Sequence, residues 1–229
     1  MHLSPYGVRE WGTSLGIFGA VLGLLLLINP STSVLISIMT PATLLLLSIF
    51  WFFRDPDRTV PEDATSGHLI SPADGVVSAI ERHDFHEDLK GPAVVIRIFL
   101  SVLDVHVNRY PCDGEVHSSR HVPGRHLDAR KAQCPVENEY QMIMMDRSDG
   151  VRIGIRQIAG LIARRIVCHA TPGSAARTGL RFGMIKFGSS TELILPAEQD
   201  LSIEVSTGER VWCGRSPLAI LPERQPRTD

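Results

Sequence analysis

Gly188-Ser189-Ser190 sits between two strand-like runs, Met184 to Phe187 and Glu192 to Leu195, and a Gly-Ser bond in that setting can be cut by its own serine. Glycine suits the residue before the scissile bond. Lacking a Cβ, it tolerates a twisted backbone and lets the Ser189 oxygen approach the Gly188 carbonyl. Attack gives an ester and elimination gives a dehydroalanine. Hydrolysis of the imine tautomer then leaves a pyruvoyl group and ammonia. Taken alone, the three residues read first as ordinary turn chemistry, so the weight of the cleavage reading depends on the elements around them.

Those elements are short, β-rich and punctuated by glycine and proline. The runs Gly75 to Ile80, Ala93 to Leu100, Gly114 to Ser118, Glu139 to Asp146, Val151 to Ile158, Ile166 to His169, Met184 to Phe187, Glu192 to Leu195 and Leu201 to Val205 predict strands. Gly160 to Arg165 reads as a helical turn. Gly208 to Ala219 has the glycine and valine spacing of the hairpin in lipoyl and biotinyl carrier sandwiches, and Ser71 to Ile80 is similar to their opening strand. The expected fold is therefore mainly β, a flattened barrel or sandwich resembling those carriers, set behind an N-terminal helical transmembrane hairpin.

From Trp11 through Phe53 there is no Asp, Glu, Lys or Arg, whereas a spanning helix needs only ~20 apolar residues. Asn29 to Ser33 interrupts the run, which predicts spans of about Gly12 to Ile28 and Ser33 to Phe53. An interfacial hairpin is the alternative, given the glycines of the first span and Pro41 of the second. The run is too long for a signal-peptide core. Arg9 before the first span and Arg54 and Arg58 after the second put both ends on the cytoplasmic side, so the expected location is the inner membrane with the β-rich domain in the cytoplasm. The division is 1–53 anchor, 54–68 linker, 69–222 catalytic domain and 223–229 frayed tail. A net charge of −2 gives no electrostatic argument for nucleic acid. Cys112, Cys134, Cys168 and Cys213 lack paired spacing, so each reads as a small buried hydrophobe. His117, His121 and His126 match no metal-site pattern and read as loop residues.

Four ordered blocks carry a resemblance. They are Ser71 to Gly75; Phe99 to Arg109, which includes Asp104, His106, Asn108 and Arg109; Arg156 to Arg165; and Arg181 to Ser189. At this order and spacing the chain resembles phosphatidylserine decarboxylases, in their short membrane-anchored form, from the apolar N-terminus to about Leu221. The resemblance implies self-cleavage at 188/189 into a β chain, 1–188, and an α chain, 189–229. It implies a pyruvoyl cofactor from Ser189 that takes phosphatidylserine from the bilayer as a Schiff base and releases CO2 and phosphatidylethanolamine. A homo-oligomer is left open. One departure is Ser190, where the short form often has arginine.

In the long form of the family, the aspartate matching Asp74 works with a histidine to activate the cleavage serine, and this chain has Arg109 where that histidine would stand. An arginine cannot act as a general base near neutral pH. Either His106 supplies both proton transfers, or cleavage proceeds through backbone strain with Asp74 and Arg109 positioning the bond. His106 is also the first candidate to protonate the carbon that loses CO2. Arg109, Arg152, Arg156, Arg164, Arg165 and Arg181 are candidates for the lipid phosphate or an anionic surface. Alternatives are an archaetidylserine-like ether-lipid substrate or a non-catalytic lipoyl-like sandwich, although Lys90, Lys131 and Lys186 all lie outside the carrier hairpin. A serine hydrolase is a third reading, and it lacks a Gly-x-Ser-x-Gly elbow.

Overall fold

The computed structural model describes residues 2–62, 67–128, 133–161, 165–186 and 189–223. Phe187, Gly188, Ile162 to Arg164, Lys131 and most of the C-terminal tail lie outside the described residues. The chain forms two compact units, Met1–Asp57 and Arg58–Asp229.

In the first unit β1 (His2–Leu3) leads through a 3-10 turn (Pro5–Gly7) into α1 (Val8–Ile28), followed by α2 (Thr32–Phe52) and β2 (Arg54–Asp55). α1 ends at Asn29, whose left-handed φ of 49° is tolerated by asparagine and closes the helix. Both helices are long and apolar enough to cross a membrane, with mean hydropathies of 2.0 and 2.1. β1 pairs antiparallel with β2, His2 opposite Asp55, so the start of α1 and the end of α2 lie on the same side. Gly7 is required there, because a Cβ would sit 2.0 Å from the Phe53 ring.

The second unit is mainly β. In chain order its strands are β3 (His68–Ile70), β4 (Gly75–His86), β5 (Gly91–Leu100), β6 (Val107–Arg109), β7 (Gly114–Val122), β8 (Tyr140–Asp146), β9 (Arg152–Ala159), β10 (Arg165–Cys168), β11 (Ala175–Ala176), β12 (Arg181–Lys186), β13 (Ser189–Pro196), β14 (Ser202–Ile203), β15 (Arg210–Val211) and β16 (Pro217–Ile220). A one-turn helix, α3 (Cys134–Glu137), precedes β8. An eight-stranded antiparallel sheet runs β11-β7-β8-β9-β13-β5-β4-β15, and three-stranded sheets run β10-β12-β6 and β14-β16-β3.

Alternation sorts the large sheet into two faces. Ile96, Ile98, Leu100, Ile143, Met145, Ile153, Ile155, Leu193 and Leu195 point into the main core. Ala93, Val95, Met142, Met144 and Ile194 form a second apolar cluster on the opposite face. Each fully buried aliphatic side chain contributes about 1.5–3 kcal/mol, so the register of these strands is strongly specified.

All nine predicted strands are present with shifted ends. Four readings need correction. His117 and His121, read as loop residues, lie in β7, whose ladder to β8 holds them in extended backbone. Arg165 opens a strand rather than closing a helical turn, because its segment pairs with β12. The two strands of Gly208 to Ala219 do not pair with each other: β15 bonds β4 and β16 bonds β3 and β14. The polar stretch read as a linker contributes Arg58 to the β unit, where that side chain is buried.

Candidate active site

Ser189 opens β13, paired with Leu100 of β5 on one side and Ala159 of β9 on the other. It shares the core-facing side of the strand with Thr191, Leu193 and Leu195, and it is fully buried. Among the described residues, neither Ser189 Oγ nor Ser190 Oγ has a hydrogen-bond partner. Native interiors rarely leave a buried hydroxyl unbonded.

One amide ties three of the four sequence blocks to this strand end. Asn108 Nδ2 donates to the Pro72 carbonyl at 3.0 Å and to Thr191 Oγ1 at 3.2 Å. Its Oδ1 accepts from Gln157 Nε2 at 2.8 Å. Pro72, Asn108, Gln157 and Thr191 come from four separate segments and are joined two residues along from Ser189. Gln157 stands opposite Thr191, making it a diagonal neighbour of Ser189 on the same face, within reach of a long side chain. Gly183 leaves the room: a Cβ there would meet Val167 O at 2.3 Å and Gln157 Nε2 at 3.1 Å.

His106 lies one residue before β6 and is fully buried. Strand alternation puts it on the Asn108 side of the segment, the side that reaches Thr191. Its Nδ1 is 2.9 Å from the Asp104 carbonyl. A carbonyl only accepts, so Nδ1 carries a proton, and Nε2 is the ring nitrogen through which a proton could be taken up or released. Asp104 is itself fixed, accepting from the Ser101 N–H at 2.8 Å and from the Arg210 guanidinium.

Asp74 is buried, and its carboxylate is bonded by the Arg58 guanidinium at 2.6 Å and the Cys213 N–H at 2.7 Å. Burial pushes its pKa above the ordinary value by more than Arg58 pulls it down. These bonds hold Asp74 to Arg58, not to His106 or Ser189. Proline and aspartate surround Arg58 in the sequence, a composition that signals a linker and gives no sign of burial.

The candidate arginines disperse. Arg109 is buried, donates from its guanidinium to the Gly179 carbonyl at 2.9 Å and from its backbone to Pro72 O at 3.2 Å, and so braces the same loop that Asn108 holds. Arg156 donates to Glu192 at 2.7 Å and stacks over Tyr140. Glu192 also accepts from Arg97 at 2.7 Å, and alternation places this cluster on the face of β13 opposite Ser189. Arg152 is paired with Asp146. Arg165 is exposed and stands across from Lys186. His117 approaches Asp146, while His121 and His126 approach Glu139. Cys112, Cys134 and Cys213 are buried free thiols and Cys168 is half-buried. Burial raises the pKa of Cys134 to about 11.

The phosphatidylserine decarboxylase family model matches residues 45–219. The chain is 45% identical over 168 residues to a phosphatidylserine decarboxylase proenzyme of Syntrophus aciditrophicus, covering 73% of this chain and 77% of that protein. It is 42% identical to the one from Desulfotalea psychrophila, with the same coverage. To that of Erythrobacter litoralis it is 39% identical over 201 residues, 82% of this chain and 79% of the relative. With three quarters of its length matched and its buried serine framed by those blocks, the chain belongs to the phosphatidylserine decarboxylase family and is an enzyme that converts phosphatidylserine to phosphatidylethanolamine and CO2.

Proposed function

We propose that the chain is a self-processing, pyruvoyl-dependent phosphatidylserine decarboxylase that cuts itself between Gly188 and Ser189 and works at the cytoplasmic face of a membrane. The observation that carries this reading is the Ser189 hydroxyl, buried at the start of a central strand with no hydrogen-bond partner among the described residues. Native interiors bond the large majority of buried hydroxyls, and of the two unbonded serines Ser189 is the one that follows a glycine carbonyl. A hydroxyl held for attack on the preceding carbonyl is left uncommitted, and the position fits a residue that is later converted to a ketone.

In cleavage, Ser189 Oγ forms a bond to the Gly188 carbonyl carbon while that carbon's bond to the Ser189 nitrogen breaks. His106 Nε2 is the base that takes the hydroxyl proton. Loss of the Ser189 α-proton then expels the Gly188 carboxylate, and water releases ammonia to leave the pyruvoyl group. That group supplies an electrophilic carbonyl that condenses with the lipid amine and accepts the electrons left by CO2. His106 returns a proton to the carbon that loses CO2. Asn108 holds the Pro72 loop against Thr191, so the strand end and the histidine keep one geometry through both reactions. Asp74, paired with Arg58, positions the loop that carries it. Arg109 braces that loop through Gly179 and Pro72 and is not the base.

Both helices of the first unit have the length and hydropathy of membrane spans, and their outer ends lie on one side. Arg9 and Arg54, which flank the two spans, support reading that side as cytoplasmic.

Ser189→Ala is expected to remain a single 25.2 kDa chain that does not react with hydroxylamine. The parent chain is expected to split into 1–188 and 189–229, the smaller piece blocked at its N-terminus. Normal splitting of Ser189→Ala, or full activity of an uncut parent chain, overturns the reading. His106→Ala is expected to lower turnover about 10²–10⁴-fold, measured on whatever fraction splits.

A further inference from the structure

The end of the large sheet that carries Ser189 also carries a rim of exposed apolar side chains. Because Ser189 pairs with Leu100 and Ala159, the segments that follow β5 and β9 leave the sheet beside it. Val102 and Leu103 follow β5, and Leu161 follows β9; the two leucines are 72% and 59% exposed. Trp212 follows β15, whose Val211 pairs with Gly75 and whose Arg210 grips Asp104 in the β5 loop. Val136 on α3 belongs to the same end, since Asn138 Nδ2 donates to the Ala159 carbonyl at 2.7 Å. These are five of the seven large exposed hydrophobic side chains among the described residues of the β unit. Exposed Arg165 stands opposite Lys186, three residues before Ser189.

We propose that this rim docks onto a lipid surface, seating Leu103, Leu161 and Trp212 at the boundary between headgroups and acyl chains, so that the headgroup of a lipid still in its bilayer reaches position 189. The inference rests on the function proposed above. Three observations choose a lipid surface as the occupant. The family's substrate is a diacyl lipid whose chains cannot leave the bilayer cheaply. The rim surrounds the end of the sheet where chemistry is assigned. Its mixture of aliphatic side chains, tryptophan and an outlying arginine suits an anionic interface.

The test uses the full chain with Leu103→Asp and Leu161→Asp together, residues with no part in the chemistry. Splitting of the parent chain is checked first by mass spectrometry. A parent that neither splits nor turns over any substrate sinks the proposed function, not the docking. With an active parent, the double variant is expected to lose about tenfold or more of kcat/KM on phosphatidylserine in vesicles and to keep its rate on a dissolved short-chain phosphatidylserine. Separately, Leu103→Cys carrying a polarity-sensitive fluorophore is expected to shift blue in vesicles and to be quenched by nitroxide lipids. Equal losses on both substrates, or a label that stays in water, overturn the proposal. So does cross-linking of that label between two copies, which would assign the rim to self-association.

Discussion

Asp74 and Arg58 show how a single side chain changes the meaning of its neighbour. Both are nearly buried, 2.6 Å apart, and removing one partner of such a pair leaves an uncompensated charge. Burial raises the Asp74 pKa, so its folded form is favoured when protonated; that stability is present in acid and fades as pH rises through the folded pKa. Arg58 limits the fading. Arg58→Ala therefore raises the Asp74 pKa further and is expected to cost about 3 kcal/mol at neutral pH and less at lower pH. Melts of the uncut Ser189→Ala protein at two pH values in detergent check this, and a gap that fails to narrow in acid contradicts it. The sequence shows Asp74 before a glycine and His106 beside Asp104, and both are legible as candidates. Arg58 was not, because only tertiary contact reveals that a proline-rich stretch turns inward. Asn108, two residues from His106, shares that residue's face only because the segment is extended, as β6 shows.

The long strands were readable because apolar residues fill or alternate along them and burial fixes their faces. β6 escaped notice since three residues, two of them polar, carry no period. It is nevertheless the strand that delivers Asn108 and Arg109. β15 and β16 looked like one hairpin from their glycines, yet the intervening Trp212–Ser216 turn sends them to different sheets. Turn residues encode a reversal of direction, not the identity of the partner. β12 shows the same dependence on a neighbour. Gly183 faces Cys168 across the β10 pairing, and a side chain there would overlap Val167 O. Gly183→Val is expected to separate β10 from β12, cost about 3 kcal/mol or more and abolish splitting; a normally processed Gly183→Val would show that the pairing is dispensable.

The chain as a whole divides after Asp57, and the β unit holds its own core. A truncated chain beginning at Arg58 is expected to split at the same bond as the full chain and to be extracted from membranes by alkaline carbonate, while the full chain stays in the pellet. Retention of the truncated chain after carbonate would move the anchoring function out of α1 and α2. Starting the truncation beyond Arg58 would confound the comparison by orphaning Asp74.

β13 has a hydrogen-bonded neighbour along both edges. Before the cut, the polypeptide finds this arrangement by a one-body search. On the proposed cut before Ser189, the same arrangement would afterwards be regained only when two separate molecules meet, so recovery from denaturant would become concentration-dependent and the cut enzyme would inherit a topology it is poorly equipped to rebuild.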